Sequence, residues 1–239
     1  MELTGKVAVV TGAAVGIGRA LARRLGAEGC AVVVADVDAE NGARTAELIG
    51  PTAVFVPVDV RSDGDLSAMV AAAVDRFGGL HVLINNAGGG GHIGPHFPDA
   101  PAAVWAAKLE LNLTSAMRAT QLALAPMRTS GGGAVVNVAS VAGVDAEAHR
   151  SPEYAAAKAG LIRFTTAAGT WPGARVNGVV PGWIATERAA AELAAMTPAA
   201  RAAAPIPVPM DEVADVVVEL VRDDAAAGRI VVLPDRARG

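Results

Sequence analysis

The sequence has almost no cysteine: one, Cys30, in 239 residues. A single thiol excludes an internal disulfide framework and any cysteine-based zinc site. Excess positive charge is also missing, since 20 Lys and Arg face 24 Asp and Glu for a net charge of -4. Binding along a phosphate backbone needs clustered basic groups, so no nucleic-acid partner is expected. No apolar run approaches the ~20 residues of a membrane helix, so no membrane association is expected. The opening Met1-Glu2-Leu3-Thr4-Gly5-Lys6 leads straight into a strand-like segment. That leaves no room for a signal peptide, and a cytoplasmic location is expected. Linkers, repeats and charge blocks are lacking too, which argues for one domain over residues 1–239.

What is present is aliphatic. Apolar residues make up 52% and charged residues 18%, which excludes intrinsic disorder, and aromatics contribute only 3%. Seven short, largely β-branched runs recur: Val7–Val10, Ala31–Ala35, Val54–Val56, Val82–Ile84, Ala134–Val138, Val176–Val180 and Ile230–Leu233. Most lack in/out alternation, as strands do when both sheet faces are covered. Helix-like stretches lie between them at Gly18–Ala27, Ala39–Ile49, Asp65–Phe77, Ala102–Met127, Tyr154–Ala168 and Glu212–Val221. Alternation of this kind predicts an α/β doubly wound parallel sheet of seven strands with helices on both faces. Residues 186–210, rich in Ala and Pro, read as a substrate flap within that domain.

The first strand leads into Thr11-Gly12-Ala13-Ala14-Val15-Gly16-Ile17-Gly18-Arg19. In such a turn Gly12 permits the sharp exit, Gly16 lets backbone approach a pyrophosphate, and Gly18 lets the helix pack on the sheet. The helix N-terminus then presents unpaired N–H groups and a positive dipole end. Asp36 ends the second strand, 18 residues past Gly18. A carboxylate there accepts ribose hydroxyls and repels a 2′-phosphate, which favours NAD(H) over NADP(H). A solvated turn aspartate is the plainer reading of Asp36, and Arg19 could lie near a 2′-phosphate.

Tyr154 and Lys158 stand four residues apart at the start of a helix, on one face. A neighbouring ammonium lowers a phenol from its usual ~10 and makes it a usable proton donor and acceptor. The pair alone would also fit a solvated helix face. Its context is more specific. Asn137-Val138-Ala139-Ser140, Asn85-Asn86-Ala87-Gly88 and Pro181-Gly182-Trp183-Ile184-Ala185-Thr186 each end a strand at the carboxyl edge, where α/β folds place ligands. Asn112 falls inside the long helix, where an amide is a mediocre helix former.

From about Leu3 to Leu233 the ordered set of motifs resembles the short-chain dehydrogenase/reductase family. The set is T-G-x-x-x-G-I-G at Thr11–Gly18, Asp59-Val60, N-N-A-G at Asn85–Gly88, Asn112, Ser140, Tyr154, Lys158 and P-G-x-x-x-T at Pro181–Thr186. The resemblance implies a pyrophosphate turn of Gly12, Gly16, Ile17 and Gly18, with Asp36 on the ribose and Asp59 and Val60 at the adenine. It implies Asn86, Ala87 and Gly88 under the nicotinamide ribose, and Ile184 and Thr186, within the segment that opens at Pro181 and Gly182, at the carboxamide. Ser140 would hold the substrate oxygen and Tyr154 would be the general acid/base. Lys158 would lower the Tyr154 pKa and bind the ribose, and Asn112 would anchor a water. The implied activity is hydride transfer between NAD and a secondary alcohol or ketone, in a homotetramer or homodimer. An NADP(H)-dependent ketoreductase and a non-catalytic nucleotide-binding scaffold are the alternatives.

Two stretches depart from the family pattern. Thr165–Gly173 is short, and Pro172 is expected to stop the helix. The last strand runs on into Pro234-Asp235-Arg236 in place of the frequent V-D-G-G. His92 and His96 lie in a Gly/Pro loop without accompanying acids or thiols, so no metal site is expected, though either could line the substrate mouth. Glu147 and His149 could touch substrate, Trp183 walls the nicotinamide pocket or packs in the core, and Cys30 reads as a small core residue.

Overall fold

The computed structural model describes residues 1–145 and 149–236, and all seven expected strands are present in one sheet. They are β1 (Val7–Thr11), β2 (Ala31–Asp36), β3 (Ala53–Pro57), β4 (Val82–Asn85), β5 (Gly133–Val138), β7 (Ala174–Pro181) and β8 (Ile230–Leu233). Between the Tyr154–Ala168 stretch and β7 lies a two-residue strand, β6 (Thr170–Trp171), which the sequence reading did not contain. The order is β3-β2-β1-β4-β5-β7, and the outer edge of β7 pairs with β8 in parallel and with β6 antiparallel. Because the long strands are parallel, their carboxyl ends meet at one edge, with Thr11 beside Ala35, Asn85 beside Asn137 and Pro181 beside Leu233.

Helices cover both faces, which is why β1, β4 and β5 are buried along their whole length. The helices α1 (Gly16–Ala27), α2 (Ala39–Ile49) and α9 (Met210–Arg222) pack together on one side. On the other lie α3 (Asp63–Phe77), the long helical run 102–129 and α6 (Pro152–Ala168). Leu21, Leu25, Ile84 and Val217 fill the first core, and Leu66, Met69, Leu83 and Met127 the second. Local signals set the ends. Ser62 caps α3 by accepting from the Asp65 N–H at 3.2 Å, and Gly78 closes it in the left-handed region at φ 84°. A cap of that kind contributes ~1 kcal/mol.

Three stretches carry detail that the sequence did not show. The helix over 102–129 is not uniform: α4 (Ala102–Leu109) passes through one π turn, Glu110–Thr114, into α5 (Ser115–Thr129). The helix α6 ends at Ala168, before Pro172 acts, because Gly169 turns the chain into the β6–β7 hairpin. Pro172 and Gly173 form the tip of that hairpin instead, with Gly173 at φ 92°. Residues 186–210 hold two short helices, α7 (Glu187–Ala195) and α8 (Pro198–Ala203). No helix among the described residues is long and apolar enough to cross a membrane.

Candidate active site

The glycine turn takes the shape its sequence implies. Gly12 and Gly16 adopt φ 64° and 55°, a region that disfavours side chains. A Cβ on Gly18 would lie 1.9 Å from the Gly12 carbonyl oxygen, so only glycine allows the helix to start there. The N-terminus of α1 has no side-chain cap and no acid in its first turn. Its N–H groups and dipole therefore remain available to an anion. Asn86 fixes this turn from the neighbouring strand, donating Nδ2 to the carbonyls of Thr11 and Gly12 at 2.9 Å each. The Thr11 hydroxyl in return accepts from the N–H groups of Asn86 and Ala87, both at 3.0 Å. Asn86 thus acts as a clamp between two ligand-facing loops.

Asp36 stands beside the turn. One carboxylate oxygen accepts from the Ala14 N–H at 2.8 Å and the other from the Asp38 N–H at 3.0 Å. Arg19 is tied down: Nε donates to the Ala14 carbonyl at 2.9 Å and the Thr45 hydroxyl at 3.1 Å. Asp59 and Val60 sit apart from the cleft lining. Asp59 is held by Arg61 at 2.6 Å, which keeps its carboxyl below the usual range, and Val60 packs in the second core.

Two cavities adjoin at the carboxyl edge. One of 640 Å³ is lined by the glycine turn, Asn86–Gly89, Tyr154 and Lys158. The other, of 860 Å³, is lined by Ser140, Tyr154, Pro181–Ile184 and the loop at Gly89–His92. Ile17, Val138, Ala139, Tyr154, Thr186 and Arg188 belong to both. Tyr154 therefore stands at the junction, and Ser140 faces only the second cavity. Thr186 caps α7, accepting from the Ala189 N–H at 3.3 Å.

Lys158 is 4% exposed and donates to the Val138 carbonyl at 3.0 Å, with its Nζ 5.8 Å from the Tyr154 ring centre. Burial pulls its ammonium down to about 8. The sequence suggested that Lys158 lowers the Tyr154 phenol. In this structure burial pushes the phenol up, and the opposing influences are a hydrogen bond with Ser140 and the charge of Arg188. Lys158 points past the ring to the β5 carbonyl, so desolvation prevails.

Asn112 sits in the π turn, and that placement gives the misplaced amide its reason. Its Nδ2 donates to the carbonyls of Lys108 and Gly89 at 3.0 Å each, and its Oδ1 accepts from the Gly89 N–H at 2.7 Å. A Cβ on Gly88 would meet Asn112 Oδ1 at 2.8 Å and Lys158 Nζ at 3.3 Å. The side chain is thus committed to holding the Gly88–Gly89 segment against the helix.

Sequence reasoning missed a buried ionic cluster directly behind this site. Lys108 Nζ lies 2.7 Å from Glu153 Oε1, 3.0 Å from His96 Nδ1 and 3.3 Å from the Ser151 hydroxyl, and donates to the Ile93 carbonyl at 3.1 Å. His96 Nδ1 and the Ser151 hydroxyl lie 3.0 and 2.8 Å from the same Glu153 oxygen. Burial would raise the Glu153 carboxyl, but hydrogen bonds from Lys108, its own N–H, His96 and Ser151 hold it well below the carboxylate range. The one legible signal was Lys108 four residues before Asn112, on the same helix face. His92 goes elsewhere, to 3.5 Å from Arg188, so the two loop histidines diverge. His149 and Trp183 line the larger cavity. Glu147 lies outside the described residues. Cys30 is buried in the first core, its thiol pushed up to about 11 by burial.

The chain is similar to known proteins along most of its length. The sequence model of the short chain dehydrogenase family matches residues 6–196. A cis-4-hydroxycyclohexanecarboxylate dehydrogenase of Sinomonas cyclohexanicum is 39% identical over 233 residues, covering 92% of this chain and 91% of its own. A D-beta-hydroxybutyrate dehydrogenase of Cupriavidus necator is 37% identical over 190 residues, covering 77% of this chain and 72% of its own. Among solved structures, a 7 alpha-hydroxysteroid dehydrogenase complexed with NADH and 7-oxo glycochenodeoxycholic acid superposes with a TM-score of 0.84. It is 28% identical and covers 97% of this chain and 94% of its own.

Proposed function

The chain belongs to the short-chain dehydrogenase/reductase family and is an oxidoreductase of alcohols and ketones, and we propose that it is NAD(H)-dependent and uses Tyr154 as the general acid/base. The observation that carries this reading is the position of Tyr154, at the join between the cavity of the glycine turn and the cavity of Ser140. A dinucleotide fits the first: the glycines let the turn fold tightly at its floor, where no Cβ has room, and the α1 N-terminus is uncapped. When bound, the nicotinamide supplies the hydride acceptor or donor. Gly12, Gly16, Ile17 and Gly18 hold the pyrophosphate, and Asn86, Ala87, Gly88 and Lys158 the nicotinamide ribose. Pro181, Gly182, Ile184 and Thr186 would hold the carboxamide. Asp36 retains lone pairs beyond its two backbone N–H partners and takes the adenosine ribose, which favours NAD. Asp59 and Val60 would stand at the adenine end, beyond the residues that line the cavity.

In oxidation the Tyr154 oxygen removes the proton from the substrate hydroxyl while the Ser140 hydroxyl holds that oxygen. In reduction Tyr154 returns the proton to the oxygen as charge develops on it. Lys158, drawn toward neutrality by burial, exchanges protons near the working pH, and Asn112 keeps the Gly88–Gly89 segment in register beside it. Residues 186–210 act as the substrate flap. The one buried thiol suits a reducing cytoplasm. The exposed Leu109 and Met117 on the long helix support a homodimer or homotetramer.

The test is a panel of secondary alcohols and ketones with NAD(H) and NADP(H), including cyclohexanol, 4-hydroxycyclohexanecarboxylate, 3-hydroxybutanoate and a hydroxysteroid. Tyr154→Phe is expected to lower kcat by roughly 10²–10⁴ with NADH binding retained. Turnover undiminished in that variant refutes the role of Tyr154, and tighter NADPH than NADH binding refutes the reading of Asp36.

A further inference from the structure

We infer that the substrate is a hydroxy or oxo acid whose carboxylate is held by Arg188, with Arg150 beside it, at the mouth of the 860 Å³ cavity. This rests on the reading of that cavity as the hydride-transfer site. Arg188 follows Thr186 by two residues on α7, and its side chain lines both cavities while staying 58% exposed. Arg150 lines the larger cavity from the segment before α6 and makes no ion pair among the described residues. Neither guanidinium can discard its charge.

Three carboxylates, Glu192, Asp235 and Asp145, share the cavity lining with these charges. Glu192 stands 3.6 Å from Arg188 Nε across one helical turn, an exposed pair of small worth. Asp235 accepts from the Trp183 N–H through one oxygen, and Asp145 lies exposed. His92 lies 3.5 Å from Arg188 Nη1. Burial first, and then the charge of Arg188, push His92 toward its neutral form, with Glu192 opposing and Arg150 adding a smaller push. The charge of Arg188 also reaches the Tyr154 phenol, which ties the cationic mouth to the reacting end of the same cavity. Val141, Trp183, Ile184 and Met196 supply apolar wall to the same cavity. A planar carboxylate meets a guanidinium fork through two parallel hydrogen bonds. The cavity therefore suits a ligand with a carbinol or carbonyl at one end, a hydrocarbon body, and a carboxylate at the other.

The experiment compares kcat/KM for 4-hydroxycyclohexanecarboxylate and its primary amide in the wild-type protein, Arg188→Met and Arg188→Lys, with cyclohexanol as the uncharged reference. The acid is expected to exceed the amide by about 10- to 100-fold in the wild type, as a charge-assisted hydrogen bond supplies. Arg188→Met should collapse that ratio to within about threefold, and Arg188→Lys should retain part of it. The ratio is the readout, so any loss shared through the cofactor or the fold cancels. Amide turned over as well as acid overturns the inference and leaves the hydride-transfer reading standing. A ratio that survives Arg188→Met while both rates fall overturns it too, and assigns Arg188 to the cofactor phosphates. Failure of every alcohol and ketone, cyclohexanol included, sinks both readings together.

Discussion

Removing the Lys108 ammonium leaves Glu153 a buried carboxylate with no cation to compensate it. The two side chains are 10% and 5% exposed and meet at 2.7 Å. Glu153 Oε1 keeps Ser151 and His96, but Oε2 has no partner among the described residues. Breaking a buried pair from one side costs about 3–5 kcal/mol, against a total stability of about 5–15 kcal/mol. With a urea slope of ~2–3 kcal/mol per molar, the unfolding midpoint of Lys108→Met should fall by roughly 1–2 M.

The pH dependence carries a sign that a general packing defect lacks. In the wild type the Glu153 pKa is depressed. Its stabilisation is therefore present above the unfolded value near ~4.3 and is lost as pH falls through the folded one. In Lys108→Met burial acts with less opposition and raises the carboxyl, so the folded state binds the proton more readily than the unfolded chain. The stability gap between variant and wild type should then be widest near pH 7 and narrow as pH approaches ~4.3. Urea titrations monitored by circular dichroism at several pH values measure this. A gap below about 1 kcal/mol at pH 7, or one that widens on acidification, refutes the reasoning.

Two other outcomes follow from the same coordinates. Lys158 is depressed to about 8 by burial, so between that value and its unfolded ~10.4 the unfolded chain binds more protons, and wild-type stability should rise with pH across that window. Lys158→Met should remove the rise in denaturation curves taken from pH 8 to 10, and an identical slope in both proteins contradicts the assignment. Asp36→Ala removes a carboxylate that the ribose reading needs, and should narrow the preference for NADH over NADPH in fluorescence titrations by roughly 10- to 100-fold; unchanged selectivity means another group reads the ribose.

Much of the fold was legible because its strands are buried on both faces. Unbroken β-branched runs such as Val32-Val33-Val34 have no other economical placement, and β2 extends the expected run by only Asp36. The Gly12–Gly18 turn was legible because its glycines are required sterically. The pairings of charged groups were hidden. Lys108, Glu153 and His96 each look solvated in isolation, and only the folded chain brings residues 45 and 57 apart onto one oxygen. The end of α6 at Ala168 was legible but its cause was not: Pro172 is the stronger breaker by rule, whereas Gly169 comes first and a hairpin was there to receive the chain. The Tyr154 shift was misread because spacing gives proximity to Lys158 but not the depth of burial.

Buried ion pairs rarely outperform a well-packed apolar replacement in stability, so the retention of Lys108 and Glu153 calls for a directional reason. The helical turn that carries Lys108 and Asn112 supplies one. Lys108 holds Glu153, the residue before Tyr154, and its own carbonyl accepts from Asn112. Asn112 grips Gly89, and Gly88 backs onto Lys158. One helical turn thus locates α6 and the Gly88–Gly89 loop relative to each other, and a proton donor misplaced by ~1 Å can lose about 10²-fold in rate. The double variant Lys108→Met with Glu153→Leu should therefore regain most of the stability lost in Lys108→Met alone. Its kcat should stay low while KM changes little, because the apolar pair fills the space without fixing the direction of Tyr154. Full recovery of kcat along with stability would reduce the cluster to packing.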